Sequence, residues 1–276
     1  MTTTADRVRD YYDANTWKFL LTGGKRGIHR ELWGPGVTTR AEAVDYAHEL
    51  VLDELPARAR RVLDLGSGVG STALYLARRR PVEVVGVSLS PTQVQRADAI
   101  AAQNPPLAGS VSFRTGDFTA LPDGFTGFDV ALAIESFVHA DPASAFLAEA
   151  ARVLRPGGVL VVIDDVRVGD PADPRLDDVR TGWHAATLVS VAEARTLAAA
   201  VGLDLVESRD LSSYQRLGRP RDRVIRAAQP LLRRWRRRSV WAESLVGGNA
   251  LQRCHRAGLL EYRLLRFERS ATNGEV

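Results

Sequence analysis

Val62-Leu63-Asp64-Leu65-Gly66-Ser67-Gly68-Val69-Gly70-Ser71 runs from a β-type stretch through three alternate glycines into a helical one. Glycines at such a turn adopt positive φ and let a ligand approach the backbone closely. The helix N-terminus beyond offers unpaired N–H groups to a negatively charged group. A lone Gly-x-Gly is a weak signal, so its neighbours decide. The dinucleotide fingerprint places Gly or Ala three residues after the second glycine, where Ser71 stands, and an acidic residue about 20 residues on, where Ser88 ends the next strand. Asp64 has no part in that pattern, but suits a ligand with a free ammonium group. A nicotinamide cofactor is therefore disfavoured.

Outward from this loop, short apolar runs alternate with helical patterns. Residues 61–65, 82–87, 111–115, 128–134 and 159–163 read as strands, and 71–80, 91–103 and 143–154 as the helices between them. Continuous apolar strands separated by helices imply a parallel sheet covered on both faces. Ser90 is the expected cap of the helix that Pro91 opens. Ser190-Val191-Ala192-Glu193 reads as a capping box, and residues 203–207 and 259–267 supply two further strands. The expected class is α/β: a Rossmann-like, doubly wound, mostly parallel seven-stranded sheet. Residues 1–55, with helices at 5–21 and 39–54 joined by a Gly-rich link, form an N-terminal helical lid. Residues 56–276 form the core, with helical cap insertions at about 166–189 and 212–257.

Five motifs follow in order, each at a strand end: the glycine loop, Val85-Gly86-Val87-Ser88-Leu89-Ser90-Pro91-Thr92-Gln93, Gly116-Asp117-Phe118, Ile134-Glu135-Ser136 and Leu154-Arg155-Pro156-Gly157-Gly158. Over about residues 60–165 this series resembles the class I S-adenosylmethionine-dependent methyltransferases. The resemblance implies S-adenosylmethionine as cofactor and S-adenosylhomocysteine as product. It implies that Gly66, Ser67 and Gly68 hold the methionine part above Asp64, and that Asp117 and Phe118 lie by the adenine. Most of that family ends the second strand in Glu or Asp, which grips both ribose hydroxyls. Ser88 cannot form that charge-assisted pair, and Ser88 with Ser-Pro-x-Gln resembles the sterol, tocopherol and natural-product subgroup. Ser90 and Gln93 are then expected at the hydroxyls, with Ser88 and Glu135 completing the cofactor site.

Methyl transfer is an in-line displacement, so positioning and exclusion of water carry much of it, while an oxygen acceptor also needs a base. If residues 135–139 are helical, Glu135 and His139 share a face. Two readings of His139 stand: general base, or cap of the turn at Asp141-Pro142. Tyr11, Tyr12, Asp13, Trp17, His29 and Trp33, with a Tyr-Tyr-Asp near the start and a His-x-x-x-Trp before the core, resemble the lid segment of the subgroup, with Tyr12 a third catalytic candidate. Packing of the tryptophans on the core is the competing reading. Trp183, His184 and Tyr214 are candidate acceptor contacts. Asp164-Asp165 could be taken for a metal pair, but adjacent carboxylates diverge and no third ligand is evident, so no metal is expected.

The 276 residues are 45% hydrophobic and 25% charged, as in ordinary globular proteins. No run is long enough for a membrane span and Met1–Arg9 lacks a signal-peptide core. The single Cys254 excludes an internal disulfide. A cytoplasmic enzyme with a small-molecule acceptor, no membrane partner and room for homo-oligomerisation is expected. Its substrate would be an apolar natural product, terpenoid or aromatic, methylated at carbon or oxygen. Arginines crowd residues 216–238, which keeps a nucleic-acid methyltransferase as the alternative, although no nucleic-acid motif accompanies them. A further alternative is a protein that binds the cofactor without turnover.

Overall fold

Both faces of the central strand, β1 (Arg61–Leu65), are covered, which is why its sequence reads as one apolar run. Leu63 and Leu65 enter a cluster with Phe146 and Leu147, whereas Val62 enters another with Leu50, Val51, Ala73 and Leu76. Each such fully buried aliphatic side chain contributes about 2 kcal/mol. Side chains alternate along a strand, so Asp64 shares the face of Val62 and ends at the carboxyl edge.

The structure, a computed structural model, describes residues 3–23, 29–235 and 239–271, and leaves out the side chains of residue 15 and residues 17–23. Trp17, Gly24, Gly27, Arg236, Arg237 and Arg238 therefore lie outside the described residues or side chains. The remaining strands are β2 (Glu83–Ser88), β3 (Ser110–Thr115), β4 (Phe128–Ile134), β5 (Leu154–Arg167), β6 (Leu203–Asp210) and β7 (Leu260–Arg269). They form one seven-stranded sheet in the order β3-β2-β1-β4-β5-β7-β6. The first five strands run parallel and β7 is antiparallel to both its neighbours. This is the expected doubly wound α/β sheet. The strand order reverses between β1 and β4, the place where such sheets bind ligands.

The helices are α1 (Thr4–Gly23), α2 (Arg40–Glu54), α3 (Ser71–Arg79), α4 (Pro91–Ala102), α5 (Ala143–Val153), α6 (Asp177–Gly182), α7 (Val191–Ala199), α8 (Pro220–Ala227), α9 (Gln229–Trp235) and α10 (Val240–Arg256). Ser90 caps α4 through the Gln93 amide, and the Ser190–Glu193 capping box opens α7, both as the sequence indicates. Thr39, expected inside α2, is instead its cap, with Glu42 closing a second box. The fifth strand is longer than its apolar core, because β7 pairs with it out to Arg167↔Leu260. No described helix is long and apolar enough to cross a membrane.

One local expectation fails. Residues 135–139 are not a helical turn with Glu135 and His139 on one face. Glu135 takes a positive φ of 52° and only Phe137–His139 form a 3-10 turn.

Candidate active site

A cavity opens at the carboxyl edge of β1, β2 and β4. Its floor is the glycine loop, where Gly66, Gly68 and Gly70 all have positive φ. The Gly66 and Ser67 amides donate to the Val87 carbonyl, holding the loop against β2. A Cβ on Gly66 would sit 2.4 Å from Ser136 Cβ, so glycine is required by contact as well as by φ.

Asp64, Gly66, Ser67, Gly68, Ser88, Ser90, Gln93, Phe118, Glu135, His139, Tyr12 and His29 all line this cavity. The structure thus brings together most of the residues singled out from the sequence. Asp117 stands beside the cavity rather than in its lining, with its carboxylate accepting from the Thr119 amide and hydroxyl. Tyr11 is buried behind Tyr12, edge-on to the His184 ring at 4.8 Å. Trp33 packs under the Arg216 guanidinium, 3.3 Å from its ring centroid, and Tyr214 packs on Tyr46. Trp183 lies against Gly248 of α10. Trp33, Trp183, His184 and Tyr214 are outside the lining.

Asp64 is 3% exposed and its Oδ2 has no hydrogen-bond partner; Ser67 Oγ beside it is also unpartnered. Burial alone pushes the Asp64 carboxyl up to about 7. An unpaired buried carboxylate costs free energy until a cation reaches it, and these orphaned acceptors fit a ligand ammonium.

Ser88, Ser90 and Gln93 form a closed set. Ser88 Oγ donates to Gln93 Oε1 at 2.8 Å, and the Ser90 amide donates to Ser88 Oγ at 3.2 Å. Helix α1 joins this set: Ser90 Oγ donates to Asp13 Oδ1, and Gln93 Nε2 donates to Thr16 Oγ1 at 3.1 Å. Asp13 closes the Tyr-Tyr-Asp triplet of the lid segment, although the sequence did not point to Ser90 as its partner, and Thr16 carried no signal of its own.

Tyr12 Oη lies 2.8 Å from His139 Nε2, and His139 Nδ1 lies 3.0 Å from the His184 carbonyl. A carbonyl only accepts, so Nδ1 carries the hydrogen and Nε2 presents its lone pair to the Tyr12 hydroxyl. Burial lowers the His139 pKa below the ordinary imidazole range, and burial likewise raises that of Tyr12. The pair is a neutral imidazole with an uncharged phenol. Neither sequence reading put Tyr12 and His139 in contact.

Glu135 is held from three sides. Its Oε1 accepts from the Arg30 amide at 2.9 Å, Arg30 Nε at 3.0 Å and Tyr262 Oη at 2.9 Å. Arg30 also forms a two-pronged ion pair with Asp165, whose Oδ1 meets His255 Nε2 at 2.7 Å. Asp165 is thus satisfied by the protein's own Arg30 and His255. Asp164 accepts from the Val138 and Asp165 amides, at 2.9 and 2.8 Å. Burial raises its pKa well above the carboxylate range. Among the described residues no group of three or more metal-ligating side chains occurs.

A parallel sheet with this strand order, a glycine loop at the switch point and an orphaned buried carboxylate beneath it define the class I cofactor-binding fold of methyl-transfer enzymes. Residues 62–158 match the family described as methyltransferase domain. The chain is 34% identical over 221 residues to the methyltransferase GfsG of Streptomyces halstedii, covering 76% of this chain and 77% of that one. It is 34% identical over 193 residues to the 27-O-demethylrifamycin SV methyltransferase of Amycolatopsis mediterranei, covering 68% and 71%. The chain belongs to the S-adenosylmethionine-dependent small-molecule methyltransferases. The crystal structure of the (4+2)-cyclase SpnF superposes with a TM-score of 0.75 at 23% identity over 98% of this chain and 97% of that one, a likeness of fold.

Proposed function

We propose that this methyltransferase acts on a hydroxyl oxygen of an apolar small-molecule natural product, with His139 as general base. The observation that carries the reading is the tautomer of His139. Its Nε2 lone pair faces the cavity wall that holds Tyr12, and Nδ1–H is anchored on the His184 carbonyl. Bound S-adenosylmethionine supplies a methyl group on a sulfonium and leaves as S-adenosylhomocysteine. The protein's part is to hold the acceptor and take its proton. A hydroxyl that replaces Tyr12 as the hydrogen-bond donor to Nε2 gives up its proton there, and Nδ1–H on the carbonyl steadies the resulting imidazolium.

Asp64 would meet the cofactor's ammonium, the Gly66–Gly68 amides its carboxylate end, and Phe118 its adenine. Ser88, Ser90 and Gln93 would face its hydroxyls. Helix α1 would act as a lid, since Tyr12, Val8 and Arg9 close one side of the cavity. Glu135, locked by Arg30 and Tyr262, would position the wall rather than exchange protons. His29 is the remaining acceptor-side candidate in the lining. A natural-product acceptor is supported by the relatives, one of which is a 27-O-demethylrifamycin SV methyltransferase.

The test is S-adenosylhomocysteine release with a panel of hydroxylated apolar compounds, wild type against His139→Gln. O-methyl products that disappear in the variant, with cofactor binding by calorimetry unchanged, support the reading. A carbon-methylated product, or full turnover by His139→Gln, overturns it.

A further inference from the structure

The exposed apolar side chains of this protein are concentrated in one place. Among the described residues, five of the seven large hydrophobics that are exposed lie between Val224 and Trp241. Val224 is 70% exposed, Leu231 62%, Trp235 56% and Trp241 49%, with Val240 beside them. They stand on α8, α9 and the first turn of α10, the helical insertion that precedes β7.

The same stretch is strongly basic. Residues 216–241 contain ten arginines against one acidic residue, Asp222, while the rest of the chain holds more acidic than basic residues. Asp222 is buried and its carboxylate accepts from the Arg219 amide at 2.8 Å, so it faces inward. Arg219 pairs with Glu31 at 2.6 Å, Arg233 pairs with Asp178, and Arg216 covers Trp33. Arg221, Arg223, Arg226 and Arg234 are exposed and interleave with Val224, Leu231 and Trp235.

Neither half of this surface accounts for the other. Phosphates alone would recruit the guanidinium groups but leave the valine, leucine and tryptophan faces in water. An apolar partner would cover those faces but leave the arginines without counter-charge. A bilayer surface with anionic headgroups meets both: guanidinium groups bind phosphates, and tryptophan and aliphatic side chains enter the boundary just beneath them. We propose that residues 220–235 and 239–241 form a peripheral docking surface for an anionic lipid membrane. The chain rests α8, α9 and the start of α10 in the headgroup layer. The proposal stands on this surface alone and is independent of the acceptor chemistry.

The experiment uses the purified full-length protein with vesicles of phosphatidylcholine alone and of phosphatidylcholine mixed with phosphatidylglycerol, each at low and high salt. Co-sedimentation reads the partitioning, and quenching of tryptophan emission by brominated lipid reads insertion. The expected result is binding to the mixed vesicles only, weakened by salt, with tryptophan quenched. Each basic residue near such a surface multiplies partitioning about fivefold. A triple Arg221→Glu, Arg223→Glu, Arg226→Glu variant therefore binds at least about a hundredfold more weakly. Trp235→Ser with Trp241→Ser abolishes quenching and weakens binding even at low salt. Calorimetry with S-adenosylmethionine confirms that both variants are folded. Equal binding to the two vesicle types, or no loss in either variant, overturns the proposal. So does salt-sensitive binding to duplex DNA or RNA that survives loss of both tryptophans while vesicle binding is absent.

Discussion

The carboxylate of Asp13 on α1 accepts the hydroxyl hydrogen of Ser90, the residue that caps α4. One side chain therefore finishes a helix next to the cavity and fastens the N-terminal helix over it. Asp13→Ala leaves the Ser90 hydroxyl without its acceptor but leaves its cap bond to the Gln93 amide intact. A hydrogen bond to a charged partner contributes about 1.5–3 kcal/mol, so docking of α1 weakens by roughly tenfold or more. Amide hydrogen exchange in residues 4–23 should accelerate by that factor, while exchange in β1 and β4 stays unchanged. Uniform exchange across the chain would mean that Asp13 does not hold α1.

His139 should set the acid limb of the rate profile. Burial depresses its pKa, so the imidazole is neutral at pH 7 and protonates only below the ordinary histidine range. Activity then rises with pH through a value under 6.5 and stays flat above it. His139→Gln removes the limb and lowers kcat by roughly a hundred- to ten-thousand-fold. Tyr12→Phe leaves Nε2 without its hydroxyl partner and shifts the limb to a different pH, because that bond favours the neutral imidazole. Initial-rate profiles from pH 5 to pH 9 decide both, and a limb unmoved in Tyr12→Phe would separate the two residues functionally.

What was legible in the sequence was local. The glycine loop, the five parallel strands and the caps at Ser90 and Ser190 each depend on residues within a few positions of one another, and the structure has them all. The charged centre was not legible. Arg30 stands 105 residues from Glu135 and 135 from Asp165 in sequence, and nothing near it marks it out. The available signal was indirect. Asp164-Asp165 within β5 and Glu135 just after β4, on strands buried on both faces, demand compensation, which Arg30, His255 and Tyr262 supply. The helical reading of residues 135–139 failed because Glu135, drawn to Arg30 and Tyr262, takes a positive φ that breaks the turn.

Arg30→Leu should be among the most damaging substitutions away from the glycine loop. It strips Glu135 of the Nε donor, leaving the residue-30 backbone amide, and strips Asp165 of its bidentate partner, all three side chains being largely buried. Removing one member of a buried ion pair costs roughly 3–5 kcal/mol. Burial opposes ionisation of Asp165, yet Arg30 and His255 outweigh it and hold its pKa below the usual carboxylate range. A depressed folded pKa contributes stability above the unfolded value, about 4, that is lost as pH falls through the folded one. The gap in denaturant midpoint between wild type and variant should therefore be full at neutral pH and narrow in acid. A gap independent of pH would point to lost packing over the Tyr262 ring, 4.4 Å from the guanidinium.

Asp64 gives the cofactor site its own pH dependence. Burial holds its pKa up to about 7 in the ligand-free protein, so it is largely neutral below that pH. If an ammonium group settles on the unpartnered Oδ2, the bound state requires the carboxylate, and binding below pH 7 must release a proton. Affinity for S-adenosylmethionine then falls by up to about tenfold for each pH unit below 7, and calorimetry in buffers of different ionisation enthalpy counts the proton. Stability runs the other way. A folded pKa above the unfolded one means stability present at low pH that is lost as pH rises through about 7. Up to ~4 kcal/mol is thus given up at pH 8. Asp64→Asn should raise the melting temperature of the ligand-free protein most at pH 8 and progressively less as pH falls toward the unfolded value near 4, weaken cofactor binding and flatten its pH dependence. Cofactor affinity that is flat in the wild type across pH 6–8 would show that no cation meets Asp64.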